Sequence, residues 1–196
     1  MRLRSQQRII DGLGQPTVEK IATMFREHGA SMYAGEAVTQ LEHALQAAYQ
    51  AENQQAPQTL VVAAVLHDLG HLMHASEEDY TEQSLDDEHE ALAAQWLDHW
   101  FPPEVVEPIR LHVPAKRYLC TVDKKYMFKL SEASQKSLEL QGGRMSIDET
   151  SLFEQHPYFR DALRLRGWDE SAKIPSLETP PFEHYLPSVA ACLRTT

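Results

Sequence analysis

Cysteine, long apolar runs and positive charge are all scarce in this sequence. Cys120 and Cys192 are its two cysteines, too few for an all-thiolate zinc site or a framework of disulfides. No apolar stretch approaches the ~18 residues that a membrane span requires, and positions 1–10 lack the apolar core of a secretory leader. A reducing, cytoplasmic setting is therefore expected. Lys and Arg number 18 against 29 Asp and Glu, a formal net charge of −11. Nucleic-acid backbones are bound by basic residues that displace counterions, and anionic membranes attract the same charges. Neither is an expected partner. Glycine is sparse too, at 8 of 196 residues. With 42% apolar and 24% charged residues, the composition fits one compact domain rather than a fibrous or disordered chain. A domain of this length buries roughly 70% of its unfolded surface without covalent staples.

The hydrophobic pattern is helical almost throughout. Val18, Ile21, Met24 and Phe25 recur at three- and four-residue steps, and Gly29 is placed as a left-handed stop. Val38, Leu41, Ala44, Leu45 and Ala48 mark an amphipathic helix over 36–52. Pro57 opens a third helix that runs through 59–69 and is apolar nearly all round, the pattern of a buried central helix. A polar, acidic loop is expected at 75–88. A fourth helix carries Leu92, Trp96 and Trp100 and ends before Pro102, and a fifth occupies 104–112 with Pro114 as its stop. Short helices follow at 123–129, 131–140, 147–156 and 157–166. Ser146 and Glu149 are spaced as a capping box, and Gly142-Gly143 breaks the run. After a Pro-rich loop at 173–181, a last helix at 182–193 is interrupted at Pro187. The expectation is a single all-α domain over 1–196, with an N-terminal helix inside 1–30.

Histidine is what the chain has in excess. It has ten, a composition that points toward metal. His43 falls within the second helix, His67-Asp68 at the end of the buried one, His89 at the start of the fourth and His112 at the end of the fifth. Asp169 follows the charged stretch Arg164-Leu165-Arg166. A carboxylate beside an imidazole at the end of an apolar helix is costly to bury unpaired, and a divalent cation would satisfy both. The pair also suits a plain helix terminus, where His favours the macrodipole and Gly70 provides the stop.

His43, His67-Asp68 and Asp169 match the ordered H…HD…D pattern of the HD-domain superfamily, all-helical metalloproteins that are mostly phosphohydrolases. His89 and His112, between the HD pair and the last Asp, resemble its dinuclear branch. Further stretches carry a closer resemblance: Tyr33-Ala34-Gly35-Glu36-Ala37, Gln40-Leu41-Glu42-His43, Leu66-His67-Asp68-Leu69-Gly70-His71, His112-Val113-Pro114-Ala115-Lys116-Arg117-Tyr118-Leu119, Leu130-Ser131-Glu132-Ala133-Ser134, Gln141-Gly142-Gly143 and Trp168-Asp169-Glu170. Over residues 31–190 the sequence is similar to the PhnZ-type organophosphonate oxygenases, HD-domain enzymes with a mixed-valent di-iron centre.

That resemblance implies a helical bundle around two iron ions, Fe(II) and Fe(III). His43, His67, Asp68, His89, His112 and Asp169 would be the ligands, Asp68 would bridge, and dioxygen would be co-substrate. Imidazoles and carboxylates without thiolate suit such metals but do not separate iron from zinc or manganese, and six protein ligands over two metals leave open positions. The resemblance gives His71, Lys116, Ser134 and Arg166 to a phosphonate, an anion that calls for charge-assisted donors. It sets Tyr33 and Glu36 at the open metal and the substrate's amino end, where Tyr33 adds cation–π contact. Tyr33 and Asp68 are then the expected catalytic residues. The implied reaction cleaves the C–P bond of 1-hydroxy-2-aminoethylphosphonate or its N-trimethyl analogue, giving phosphate plus glycine or glycine betaine. Two other readings use the same ligands: a metal-dependent phosphohydrolase and a regulatory small-molecule-binding module. His28, His74, His99, His156 and His184 are assigned no role. The acidic 75–88 stretch and Pro114 beside Lys116 depart from the family's pattern.

Overall fold

The computed structural model describes residues 2–33, 35–73 and 89–194. They form helices α1 (Arg2–Leu13), α2 (Val18–His28), α3 (Gln40–Asn53), α4 (Gln58–Leu66), α5 (His89–Leu97), α6 (Pro103–Val122), α7 (Lys124–Met127), α8 (Glu132–Leu140), α9 (Ile147–Glu154), α10 (Phe159–Ser171) and α11 (Phe182–Cys192), with a 3₁₀ turn at Leu69–Leu72. The extended pairing among the described residues is an isolated antiparallel bridge between Met32 and Thr39. The all-α expectation holds, and residues 1–30 carry two helices rather than one. No described helix is long and apolar enough to cross a membrane. The expected 75–88 loop, with His74 and Ala34, lies outside the described residues.

Helix starts follow local chemistry. The Ser146–Glu149 capping box forms as its spacing predicts. A second box sets α3: Glu42 N–H donates to Thr39 Oγ1 at 3.1 Å, and Thr39 N–H to Glu42 Oε2 at 2.7 Å. This moves the start of the helix from the expected residue 36 to Gln40 and leaves Glu36 in the preceding turn. Gly29 is right-handed, at φ −65°, so the expected left-handed stop is absent. Its missing side chain serves packing instead, because a Cβ there would lie 3.1 Å from Leu41 Cβ. Gly142 and Gly143 do adopt positive φ, at 91° and 68°.

Larger differences come from tertiary packing. Pro114 does not stop α6, which runs on to Val122 through both Pro108 and Pro114. A proline inside a helix costs roughly 3 kcal/mol. Here Val105, Val106 and Ile109 are buried in the main core, Ala115 packs with Met145, Phe153 and Ala162, and Cys120 packs with Leu130 and Leu138, and that burial outweighs the lost hydrogen bonds. α11 likewise passes through Pro187. α10 extends five residues beyond the expected end at 166 and carries Trp168 and Asp169 inward.

α4 is the buried centre. Every residue from Leu60 to Leu66 is buried, against α3, α6, α10 and α11, which accounts for a helix apolar on all sides. It ends at Leu66, and the chain tightens into the 3₁₀ turn, so His67 and Asp68 leave the α-helical path at the core's edge. Gly70 makes this route possible. A Cβ there would meet His89 O at 2.1 Å and His89 C at 2.8 Å, backbone atoms that cannot swing aside. Gly70→Ala is therefore expected to cost about 1–3 kcal/mol or more, read as a drop of several degrees in Tm. Gly12→Ala in α1, with nothing within 4 Å, is the control that leaves Tm unchanged or higher. Equal melting of the two variants would sink this account of the α4–α5 approach.

Candidate metal centre

Five segments deliver one buried cluster. α3 brings His43, the exit of α4 brings His67 and Asp68, α5 begins with His89, α6 brings His112 and α10 brings Asp169; all six side chains are buried. His112 sits in the middle of α6 rather than at the expected helix end, because α6 continues beyond Pro114.

The outward nitrogens of three rings are fixed by backbone. His43 Nδ1 lies 2.9 Å from Ala172 O, His67 Nδ1 2.9 Å from Ala64 O, and His112 Nδ1 2.8 Å from Ile109 O. A carbonyl oxygen accepts only, so each Nδ1 carries the hydrogen and each Nε2 turns a lone pair inward. Yet His43 Nε2 and His67 Nε2 are 3.1 Å apart, and His89 Nε2 and His112 Nε2 are 3.2 Å apart. Apposed lone pairs repel unless a metal ion or a proton lies against them, and the carboxylates beside His43 favour a positive charge there.

Asp68 stands between the two imidazole pairs. Its Oδ2 is 3.4 Å from both His43 Nε2 and His67 Nε2, while its Oδ1 is 3.2 Å from His89 Nε2 and 3.5 Å from His112 Nε2. Asp169 Oδ1 lies 3.5 Å from His43 Nε2. Asp68 Oδ2 and Asp169 Oδ1 are buried and accept no hydrogen bond, a costly state for a carboxylate. Ligand atoms converge in two groups, His43/His67/Asp169 and Asp68/His71/His89. Inward lone pairs and unpartnered carboxylate oxygens form a donor set that fits cations of the borderline type. The Glu90 carboxylate, 3.5 Å from His89 Nδ1, stands behind that ring as carboxylates stand behind metal-bound imidazoles.

Electrostatics reflect the crowding. Burial opposes the charge on His43, but Asp169 and Asp68 outweigh it and raise the ring to about 9. Burial lowers His67 and pulls His112 down to about 3. Although burial alone would raise them, Asp68 is held well below the usual carboxylate range by its imidazole neighbours and Asp169 by Arg166 and His43. The cluster thus keeps both carboxylates ionised and His67 and His112 neutral, whereas Asp68 and Glu90 raise His89 and the carboxylates raise His43, so metal binding there displaces protons.

The cluster opens into a cavity of about 50 Å³ whose walls include all six further residues expected from the sequence: Tyr33, Glu36, His71, Lys116, Ser134 and Arg166. Tyr33 stacks on the His43 ring, centroids 3.8 Å apart and 12° from parallel, and burial followed by Asp68 and Asp169 raises its phenol well above the usual value. His71 lies in the 3₁₀ turn beyond α4; its ring stacks on His89 at 4.0 Å, and its nitrogen joins Asp68 and His89. Lys116 is buried, donates to Ser137 Oγ at 2.9 Å, and is lowered to about 8 by burial and by Arg166. Arg166 is more committed than expected. It pairs with Asp169 and Glu170 and donates from Nε to Tyr126 Oη at 2.7 Å. Ser137 and Gln141 also line the cavity and were not anticipated. Their spacing from Ser134 along α8, three and then four residues, is the signal that would have found them.

Metal analysis of the purified chain is expected to find two ions per molecule, falling below one in Asp68→Ala, the residue shared by both imidazole pairs. Removing the ions with a chelator is expected to lower Tm, because ions that bind the folded state alone stabilise it by mass action. Full metal content in Asp68→Ala would refute the shared-carboxylate arrangement.

No family profile matches the chain, but relatives do. It is 46% identical over 180 residues to the hydroxymethylphosphonate dioxygenase of Gimesia maris, covering 90% of this chain and 89% of that protein. It is 40% identical over 172 residues to the glycine-betaine-forming [1-hydroxy-2-(trimethylamino)ethyl]phosphonate dioxygenase of Leisingera caerulea, covering 88% of each. An uncharacterized protein of Acanthamoeba polyphaga mimivirus is 37% identical over 170 residues, covering 86% of this chain and 78% of that protein. Identity of this order over nearly the whole length, on an all-α frame with a buried His/Asp cluster, gives the conclusion: the chain belongs to the PhnZ-type family of organophosphonate dioxygenases.

Proposed function

We propose that the chain is an oxygenase that cleaves the C–P bond of a 1-hydroxyalkylphosphonate with dioxygen. Its centre would be two iron ions, Fe(II) and Fe(III), which His43, His67, Asp68, His89, His112 and Asp169 would hold. The observation that carries this reading is the Asp68 carboxylate between two facing imidazole pairs, in a cluster whose His89, His112 and Asp169 line a cavity together with a buried lysine and a buried arginine. The reaction balances with one dioxygen: R–CH(OH)–PO₃²⁻ and O₂ give R–COO⁻ and H₂PO₄⁻. C1 loses its hydrogen and its bond to phosphorus and becomes a carboxylate carbon. The named substrates of the relatives bring to this chain tails R of hydrogen and trimethylaminomethyl, beside the aminomethyl tail of 1-hydroxy-2-aminoethylphosphonate.

When bound, the iron pair supplies dioxygen activation and the electron-transfer capacity. This chain's residues hold and orient the substrate. Lys116 and His71 face the cavity as cationic and imidazole donors for phosphonate oxygens, and Ser134 adds a hydroxyl. Arg166, tied to Asp169 and Glu170, contributes mainly field to the same anion while it orients a metal ligand. Tyr33, stacked on His43, covers the cluster at the cavity wall and limits water access.

The test is phosphate release by iron-loaded, partly reduced protein, with and without dioxygen, from each of the three phosphonates. Oxygen-dependent phosphate from at least one is the expected result. Oxygen-independent phosphate from esters in Mn²⁺, with none from phosphonates, would identify a phosphohydrolase instead. Lys116→Ala is expected to raise KM at least tenfold with iron content retained. Because burial lowers Lys116 to about 8, its ammonium is present below that pH and lost above it. Affinity for the anion should therefore fall as pH rises beyond about 8, and Lys116→Met, weak throughout, should lack that limb.

A further inference from the structure

We infer that Lys173 is a specificity-determining residue: it already supplies the positive charge that Glu36 would otherwise take from a substrate's ammonium group. The inference rests on the phosphonate reading above and concerns the tail of that substrate. Lys173 Nζ lies 3.3 Å from Glu36 Oε1, with both side chains largely buried. The same ammonium donates to Ser134 Oγ at 2.9 Å, to Ser131 Oγ at 3.3 Å and to Glu170 Oε1 at 3.4 Å. It is thus tied to Ser134, a wall of the cavity, and to the carboxylate that pairs with Arg166.

The lysine is held from behind as well. Gln46 is fully buried on α3 and clamps the next residue from both sides: its Nε2 donates to Ile174 O at 2.8 Å, and its Oε1 accepts from Ile174 N at 3.0 Å. The backbone beneath Lys173 is therefore fixed against the helix that carries His43.

Charges at this end of the cavity cancel. Glu36 and Glu170 stand against Lys173 and Arg166, and Asp169 pairs with Arg166 through Oδ2 while its Oδ1 turns toward His43. Asp169 belongs to the imidazole cluster as well; leaving it to that cluster, an incoming ammonium meets two carboxylates already offset by two cations, one of them an ammonium beside its own binding position. At effective dielectrics typical of such sites, like charges a few ångströms apart oppose each other strongly enough to offset the attraction of one carboxylate. Glu36 Oε1 meets Lys173 at 3.3 Å as an ion pair without hydrogen-bond geometry, so a lone pair remains for a hydrogen bond. A neutral donor on the substrate gains that hydrogen bond as readily as a charged one. Small volume acts in the same direction. The cavity of about 50 Å³ suits a short tail, given that one water occupies about 10–15 Å³ on the same kind of measure. Lys173, rather than Glu36 alone, sets how far a charged tail is favoured over a neutral one.

The discriminating experiment is calorimetric binding of two matched probes to the metal-loaded protein. 2-Aminoethylphosphonate and 2-hydroxyethylphosphonate both end in a hydrogen-bond donor and differ in charge. Lys173→Met is expected to shift the affinity ratio at least tenfold toward the amino probe, and Lys173→Arg to keep the wild-type ratio. Lys173→Met combined with Glu36→Gln is expected to lose the gain. Lys173→Gln, which keeps hydrogen bonding to Ser134, serves if the methionine variant does not fold, with the same shift expected. A ratio within twofold of wild type in both neutral variants overturns the proposal, as does a gain that survives Glu36→Gln or a failure of either probe to bind any form. Oxygen-dependent phosphate release from the same preparation separates the two readings. An unchanged ratio with release intact removes the role of Lys173 alone, and a shifted ratio without release removes the oxygenase.

Discussion

Imidazole nitrogens that face one another across an ionised carboxylate are the constraint on which this structure depends. Backbone carbonyls pin the outward nitrogens of His43, His67 and His112, so the inward lone pairs have no tautomeric escape. Such a cluster opposes the fold that creates it unless cations satisfy it. The large apolar core around α4 supplies the stability that holds these groups together, and the surrounding chain geometry follows from delivering five segments to one point. The 3₁₀ turn after α4, the glycine at position 70 under the His89 backbone, and the passage of α6 through two prolines all serve that delivery.

Charge is distributed against the grain of the composition. An acidic chain keeps Lys116 and Arg166 buried beside the cluster, where burial would ordinarily expel them. Arg166 is retained through Asp169 and Glu170, and Lys116 through Ser137 and the field of the same carboxylates. The cavity is cationic on the side of Lys116 and balanced on the side where Glu36 and Glu170 meet Lys173 and Arg166. An anion is drawn to one end, and the other end is left to discriminate by charge and size. This polarity is a property of the assembled walls, to which the turn before α3 and helices α5, α6, α8 and α10 each contribute.

Much of the fold was legible because helical periodicity is strong and caps have short, local signatures. The Ser146–Glu149 box and the Gly142-Gly143 break needed only neighbouring residues. Pro114 misled because its local cost is real, while the compensating burial of Val113, Ala115 and Lys116 belongs to the packed molecule. Gly29 misled in the opposite way, as its role is to admit Leu41 rather than to reverse the backbone. In the site, residues in recognisable motifs were legible: the histidines, Asp68, Asp169 and the six cavity residues. Ser137 lies outside those motifs, Gln141 sits in one that gave it no role, and Lys173 gains meaning only when the end of α10 meets the turn that carries Glu36.

By itself the sequence determined the helical class, the donor types and the family, because each is written in residue identity and short-range spacing. Imidazoles and carboxylates without thiolates define what can be bound before any fold is known. Tertiary structure decided which lone pairs face each other, which carboxylate stands between them, and which of the lysines balances Glu36. Those outcomes depend on distances of three to four ångströms between segments as far apart as residues 36 and 173. Electrostatic and hydrogen-bond energies change steeply over such distances, whereas sequence spacing does not encode them.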